Sequence, residues 1–283
     1  MVDASGVPDQ RYEERLSHPA LRDVISCVFV QEVSALAPPY THRSVPNGSV
    51  VLSYRLGSVV PLVTGPQRVP DVYTLEPGSS VVGVRFRPGA ANPILGISAS
   101  ELIDRREELD AIWGSAADSL GARLADATSA QEAAALLEDA LIGRVVDDAP
   151  QFDAVVGELV ERLQPWRARR VTDQATDLFL SPRQLRRWCL DTLGFGPKAL
   201  HRILRFHGFM ALADLDQGAV DLASAALAAG YADQAHLTRE CVRLSGLTPR
   251  AFLSERAENC LGSHDHLASL LQMQRAFLQA RAA

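Results

Sequence analysis

The feature that most restricts how this chain folds is an internal repeat in its C-terminal half. Laid side by side, LFLSPRQLRRWCLDTLGFGPKAL (178–200) and AGYADQAHLTRECVRLSGLTPRAF (229–252) share one template. Each has a turn, a helix-capping residue, a polar pair, a leucine, an arginine and a Gly-x-x-Pro exit. Leu185 matches Leu237, Arg187 matches Arg239, Gly194 matches Gly246 and Pro197 matches Pro249, all 52 residues apart. A template used twice at a fixed offset is one supersecondary unit made twice, here a helix-turn-helix. The run KALHRILRFHGFMALADL (198–215) supplies a linking helix between the copies.

The second helix of such a unit must bury one stripe against its own domain while its first turns expose side chains that reach base edges. In the first copy Leu185, Trp188 and Leu193 can form the buried stripe, with Ser181 as N-cap and Pro182 in the first helical position. Arg183, Arg186 and Arg187 then share the outer face at i, i+3, i+4, and arginine pairs two-pronged with guanine. In the second copy Leu237, Cys241 and Leu244 point inward, leaving Gln234, Ala235, Thr238 and Arg239 outside. Glutamine suits adenine, and alanine or threonine can touch a thymine methyl. A single helix of this kind reads equally well as a solvated surface face. Two copies with matching turn, cap and exit favour a pair of readers.

Total charge argues the other way, since 28 basic against 34 acidic residues leave the chain at -6. The distribution matters more than the sum. Residues 1–150 hold 12 basic and 20 acidic residues (-8), 151–256 hold 14 and 12 (+2), and the last 27 hold two of each. Within the repeat region three arginines face one aspartate over 181–191, and Lys198, Arg202 and Arg205 face no acid over 198–205. Over 239–250 three arginines face one glutamate. Positive charge is expected where DNA would lie.

The N-terminal half has a different pattern. Short apolar runs broken by turn residues, DVISCVFVQEV, SVVLSYRL, VPLVTG, DVYTL and SVVGVRFRPG, read as strands, with Pro46-Asn47-Gly48 forming a tight hairpin turn. From about 98 to 146 helical spacing takes over, and Asp147-Asp148-Ala149-Pro150 marks a domain boundary. There is no membrane-length apolar run and no secretory leader in MVDASGVPDQRYEER, so a cytoplasmic location is expected. Cys27, Cys189, Cys241 and Cys260 lie too far apart for a CxxC clip and read as small buried hydrophobes. No metal or other cofactor is expected. His264-Asp265-His266 lacks a third partner and reads as surface polarity. After it, Leu267, Leu270, Leu271, Phe277 and Leu278 form one helical stripe, which must pack on its own chain or on a second subunit.

Over 151–256, most densely in SPRQLRRWCLDTLGFGPKALHRILRF and LASAALAAGYADQAHLTRECVRLSGLTPRAF, the sequence resembles the AraC/XylS-type transcriptional regulators. The resemblance implies a DNA-binding domain of two helix-turn-helix units, whose reading helices enter successive major-groove segments of double-stranded DNA. Carried over by position, Arg183, Arg186, Arg187, Gln234, Ala235, Thr238 and Arg239 contact bases, while Ser181 and the helix starts hold phosphates. RNA polymerase is the implied partner at a promoter. Two departures stand out: Phe179 where the family usually has a turn glycine, and Gln174 where it usually has leucine.

The N-terminal half is similar, in VPNGSVVLSYRLG, VVGVRFRPGAA and LDAIWG, to the sensor domains of one subgroup. The fold class expected is therefore α+β: a cupin-like β domain with appended helices over 1–150, the all-α double helix-turn-helix domain over 151–256, and a helical tail over 257–283. Only His18 and His42 are present in the first half, too few for a cupin metal site. Arg85 and Arg87 alternate along a strand and could together hold an anionic effector, with Asp71, Tyr73 and Trp113 as further pocket candidates, although a solvated strand face would look the same. The expected function is a sequence-specific regulator controlled by a small-molecule effector or by homodimerisation, and not an enzyme. The alternatives are an interaction protein that retains the fold, or an enzyme fused to this module, as in alkylation-repair fusions. The fusion would need a cysteine cluster, and residues 1–150 hold Cys27 alone.

Overall fold

The computed structural model describes residues 9–147, 181–215, 221–259 and 264–265. In the first half, β1 (Gln10–Arg15), β2 (Ile25–Val33), β4 (Val51–Arg55), β5 (Leu62–Thr64), β7 (Ser80–Phe86) and β8 (Arg106–Glu108) join with β9 (His264–Asp265) in a seven-stranded sheet in the order β8-β5-β4-β7-β2-β1-β9. β3 (Tyr40–Ser44) and β6 (Asp71–Leu75) form a separate antiparallel pair. Alternation along β7 sorts the two faces of the large sheet. Val82, Val84 and Phe86 are buried in a core with Leu52, Tyr54 and Val28, while Gly83 and Arg85 face the other way. The apolar face is covered by α1 (Asn92–Leu95), α2 (Ala99–Leu102), α3 (Asp110–Trp113), α4 (Ser115–Ala125) and α5 (Ala130–Asp147), with α5 contributing Ala133, Ala134, Leu137 and Leu141. The molecule is thus mixed α+β, with a β-sheet domain and appended helices ahead of a helical domain.

Two local expectations are corrected. Gly48 takes the left-handed conformation (φ +74°) and Asn47 Oδ1 accepts from Ser49 N–H, yet 46–48 closes no hairpin. β3 pairs with β6 and β4 with β5 and β7, so this turn carries the chain from one sheet to the other. The helical run after residue 98 is interrupted as well. Ser98 starts α2 with a capping box to Glu101, but Asp104 turns the chain at φ 55° and Arg106–Glu108 adds as a strand beside β5. Asp104 suits that turn because its carboxylate accepts from Arg68 N–H (2.7 Å) and Arg68 Nε (2.5 Å).

The helical domain contains α6 (Pro182–Leu193), α7 (Pro197–Leu215), α8 (Leu222–Ala228), α9 (Gln234–Ser245) and α10 (Pro249–Asn259). Phe206 and Phe209 of α7 form its centre with Leu237, Cys241 and Leu244 of α9, Tyr231 and Phe252. Val45 and Ile103 of the β domain pack against the same cluster. Polar contacts fasten the two domains: Asn92 Nδ2 to Asp191 O (2.9 Å), Arg43 to Glu255 and Ser245 O, and Gln10 Nε2 to Asn259 O (2.7 Å). Beyond α10 the two-residue strand β9 (His264–Asp265) adds parallel to β1. The stripe over 267–278, the boundary near 150 and residues 174 and 179 lie outside the described residues.

His207 of α7 fills the joint between the domains, its Nε2 lying 2.8 Å from Pro46 O. A carbonyl only accepts, so Nε2 carries a proton. Burial, with Arg256 and Arg85 adding to it and the Pro46 bond opposing, pushes its pKa down to about 4. A group whose folded pKa is depressed binds more protons when unfolded, so this joint loses stability as pH falls from about 6.5 to 4, by up to about 3 kcal/mol. His207→Gln, which keeps a donor for Pro46, should flatten the fall of the unfolding midpoint over that window. A second prediction concerns Gly65, where a Cβ would stand 1.8 Å from the backbone oxygen of Leu102. Gly65→Ala should lower stability in urea by at least about 2 kcal/mol.

Candidate nucleic-acid interface

Both reading helices are punctuated by their own sequence. Ser181 caps α6, its Oγ accepting from Gln184 N–H (3.2 Å) while Gln184 Oε1 accepts from Ser181 N–H (2.9 Å). Asp233 caps α9 by accepting from His236 N–H (2.6 Å). Each helix ends on a left-handed glycine, Gly194 at φ 73° and Gly246 at φ 78°. The repeat therefore yields two 12-residue helices with the same start and stop.

Burial then fixes which side faces out. Leu185, Cys189 and Leu193 are inside on α6, with Trp188 only partly covered, so the buried stripe passes through Cys189 where Trp188 was expected. On α9 Leu237, Cys241 and Leu244 are inside as expected. Arg183, Arg186 and Arg187 are exposed, and none is tied to another described residue. Gln234, Ala235, Thr238 and Arg239 come together around one shallow depression of about 560 Å³. Thr238 Oγ1 donates to Gln234 O (2.9 Å), which satisfies the hydroxyl within its own helix. Ser181 is in the predicted place, but its N–H is taken by Gln184 and Pro182 has none. The next free backbone donor at that end belongs to Arg183.

The positive stretch over 198–205 does not survive intact as a DNA-facing surface. Arg202 Nε lies 2.7 Å from the carboxylate of Glu240, a largely buried residue of α9. The Arg205 guanidinium stacks on Tyr231 (5.0 Å) and donates to Gly230 O (3.2 Å). These two arginines fasten α7 to the second unit, while Lys198 stays exposed. A lone glutamate among outward polar residues on α9 was the available sign that one arginine of α7 would be consumed.

The residues singled out in the β domain fall into four places. Arg85, on the face opposite the helices, donates to Glu14 Oε1 (2.9 Å), Tyr12 Oη (3.2 Å) and Cys27 Sγ (3.3 Å), and its buried Nε has no partner among the described residues. The side-chain nitrogen of Gln31, also buried, is likewise unpartnered. Burial pushes the Cys27 thiol up to about 11. Asp71 pairs with Arg106, whose guanidinium lies over Tyr73 (5.5 Å), and burial pushes the Tyr73 hydroxyl up to about 12. Arg87 lies past the end of β7 and donates to Arg22 O (2.8 Å), so it does not join Arg85. Trp113 is elsewhere again, under Arg144 (4.6 Å). Sequence reasoning missed Tyr12, Glu14, Cys27 and Gln31, although the alternation in β1 and β2 already placed them on one side.

Two capped helices of one build, each burying one stripe and presenting an untied polar stripe, define a double helix-turn-helix protein. Residues 174–255 match the family described as a helix-turn-helix domain, of the AraC type, and residues 13–108 match a domain of unknown function (DUF6597). The chain is a DNA-binding transcriptional regulator. No curated protein matches it significantly. Among solved structures, an apo variant of ToxT from Vibrio cholerae is 15% identical, covering 87% of this chain and 96% of that one at a TM-score of 0.38. The P21 form of ToxT is 10% identical, with 87% and 97% covered at a TM-score of 0.40. ToxT bound to an unsaturated fatty acid is 12% identical, with 87% and 93% covered at 0.38.

The cap that starts α9 gives a direct test. Asp233→Ala removes the acceptor for His236 N–H and should cost about 1 kcal/mol of stability, with faster amide exchange confined to the first turn of α9.

Proposed function

We propose that this protein is a sequence-specific regulator of transcription in which α6 and α9 each read one major-groove segment of double-stranded DNA. The observation that carries this reading is the pair of outward faces, Arg183/Arg186/Arg187 and Gln234/Ala235/Thr238/Arg239, at corresponding places of two matching helices. Arg187 and Arg239 fork onto guanine, Gln234 onto adenine, and Ala235 and the Thr238 methyl touch thymine. Ser181 holds phosphate through its hydroxyl hydrogen, its N–H being committed to Gln184, with the Arg183 N–H and the start of α9 as the backbone donors, and the regulatory outcome passes to RNA polymerase.

The β domain supplies control, by a small-molecule effector or by pairing with a second copy of the chain. The buried donors Arg85 Nε and Gln31 Nε2 have no acceptor among the described residues, which suits an effector carrying a carbonyl or carboxylate. An enzymatic role is disfavoured: burial holds the Cys27 thiol above its ordinary value, away from the reactive thiolate a methyl acceptor needs. Among the described residues no helix is long and apolar enough to cross a membrane, and no cluster of His, Cys, Asp and Glu is placed to hold a metal.

Selection on random duplex DNA at two salt concentrations tests the reading. A motif of two half-sites about 10 bp apart should emerge, with affinity falling as salt rises. Arg187→Ala and Arg239→Ala should each relax preference at particular base positions by about 1–3 kcal/mol. Absence of any enriched motif would refute sequence-specific reading, and uniform weakening would place that arginine on phosphate.

A further inference from the structure

We propose that the β domain sets the spacing between the two DNA half-sites, with Arg43 as the positioning residue; this rests on α6 and α9 being the base readers. Both helices end against the β domain. In the last turn of α6, Asp191 O accepts from Asn92 Nδ2 (2.9 Å). At the last residue of α9, Ser245 O accepts from Arg43 Nη1 (3.0 Å), while Arg43 Nε and Nη2 hold the two carboxylate oxygens of Glu255 on α10 (2.7 and 3.2 Å). The last turn of a helix leaves carbonyls unpaired and carries partial negative charge, so donors are drawn to that end. Here one body supplies a donor to that end of both readers.

The opposite ends are open. Arg183, Arg186 and Arg187 on α6 and Gln234, Ala235 and Arg239 on α9 are exposed, so the β domain holds the readers from behind and covers none of these side chains. The docked arrangement is therefore the DNA-competent one. Without it the two units are joined through α7, whose 19 residues span about 28 Å. A rotation of about 10° at one end of such a lever displaces the far end by about 5 Å, more than one base-pair step of about 3.4 Å. A second attachment to each unit removes that freedom. Arginine suits the task because its planar fork holds the carboxylate and the carbonyl at once. The Arg43 side chain is 19% exposed and that of Glu255 34%, so the pair is partly withdrawn from the screening that weakens surface salt bridges.

The test uses the full chain on duplexes bearing the selected half-sites at their preferred separation, on the same duplexes with one or two base pairs inserted, and on a single half-site. Wild-type affinity should drop at least about tenfold on the respaced duplexes, since each inserted pair turns and shifts the second half-site. Arg43→Ala should keep its single-half-site affinity within about twofold, while its drop on respaced duplexes shrinks to less than about threefold. Arg43→Lys, with the charge but one donor group, should fall between. Asn92→Ala, acting on the other reader, should narrow the drop in the same way. If Arg43→Ala does not fold, Glu255→Gln takes its place with the same expectation. An unchanged spacing ratio in the folded Arg43 or Glu255 variant overturns the proposal. So does tighter binding than wild type at the preferred separation, which would make the contact a brake. Failure of the underlying reading shows separately, as single-half-site binding that Arg239→Ala leaves unchanged.

Discussion

The reading surface depends on the complete burial of Leu237, Cys241 and Leu244 on one helix and of Leu185, Cys189 and Leu193 on the other. Three side chains on one stripe fix the rotation of a helix about its own axis, and with it every side chain left outside. Gln234, Thr238 and Arg239 are outward as a geometric consequence of what is inward. The half-buried ion pair of Arg202 with Glu240 then ties α9 to the linking helix.

Much of the helical domain was legible because its determinants are local. Caps at Ser181 and Asp233, the proline at N1 and the two terminal glycines are all encoded within one turn of the structure they produce. The β domain was legible in composition but not in pairing. Asn47-Gly48 has hairpin chemistry, and only the long-range match of β3 with β6 shows that no hairpin forms there. Arg106 and its neighbours have helical spacing yet extend the sheet edge beside β5, because an available edge outweighs weak local preference. Arg85 was visible as a charge in a strand, but its neutralising partner Glu14 is 71 residues away. Periodicity places residues on faces without saying which faces meet.

The same limit applies to the candidate site. Outward positions on α6 and α9 could be named from spacing, whereas the arginines already committed elsewhere could not. Arg202 and Arg205 look like Arg183 and Arg187 in a charge count, and differ only in having Glu240 and Tyr231 beside them. Charge counted along a sequence overstates the charge left free on a folded surface.

The acidic cap of α9 has a further consequence. Asp233 puts a carboxylate at the very turn where phosphates approach, and the β domain behind the readers belongs to a half of the chain with a charge of -8. Both subtract from the sequence-independent attraction that lets basic proteins cling to any duplex. In return the reading helix is fully wound before DNA arrives, so encounter does not have to pay for ordering it. A reader built this way gains less from bulk DNA and relies more on its few base contacts, which favours rapid release from the many wrong sites over residence on them.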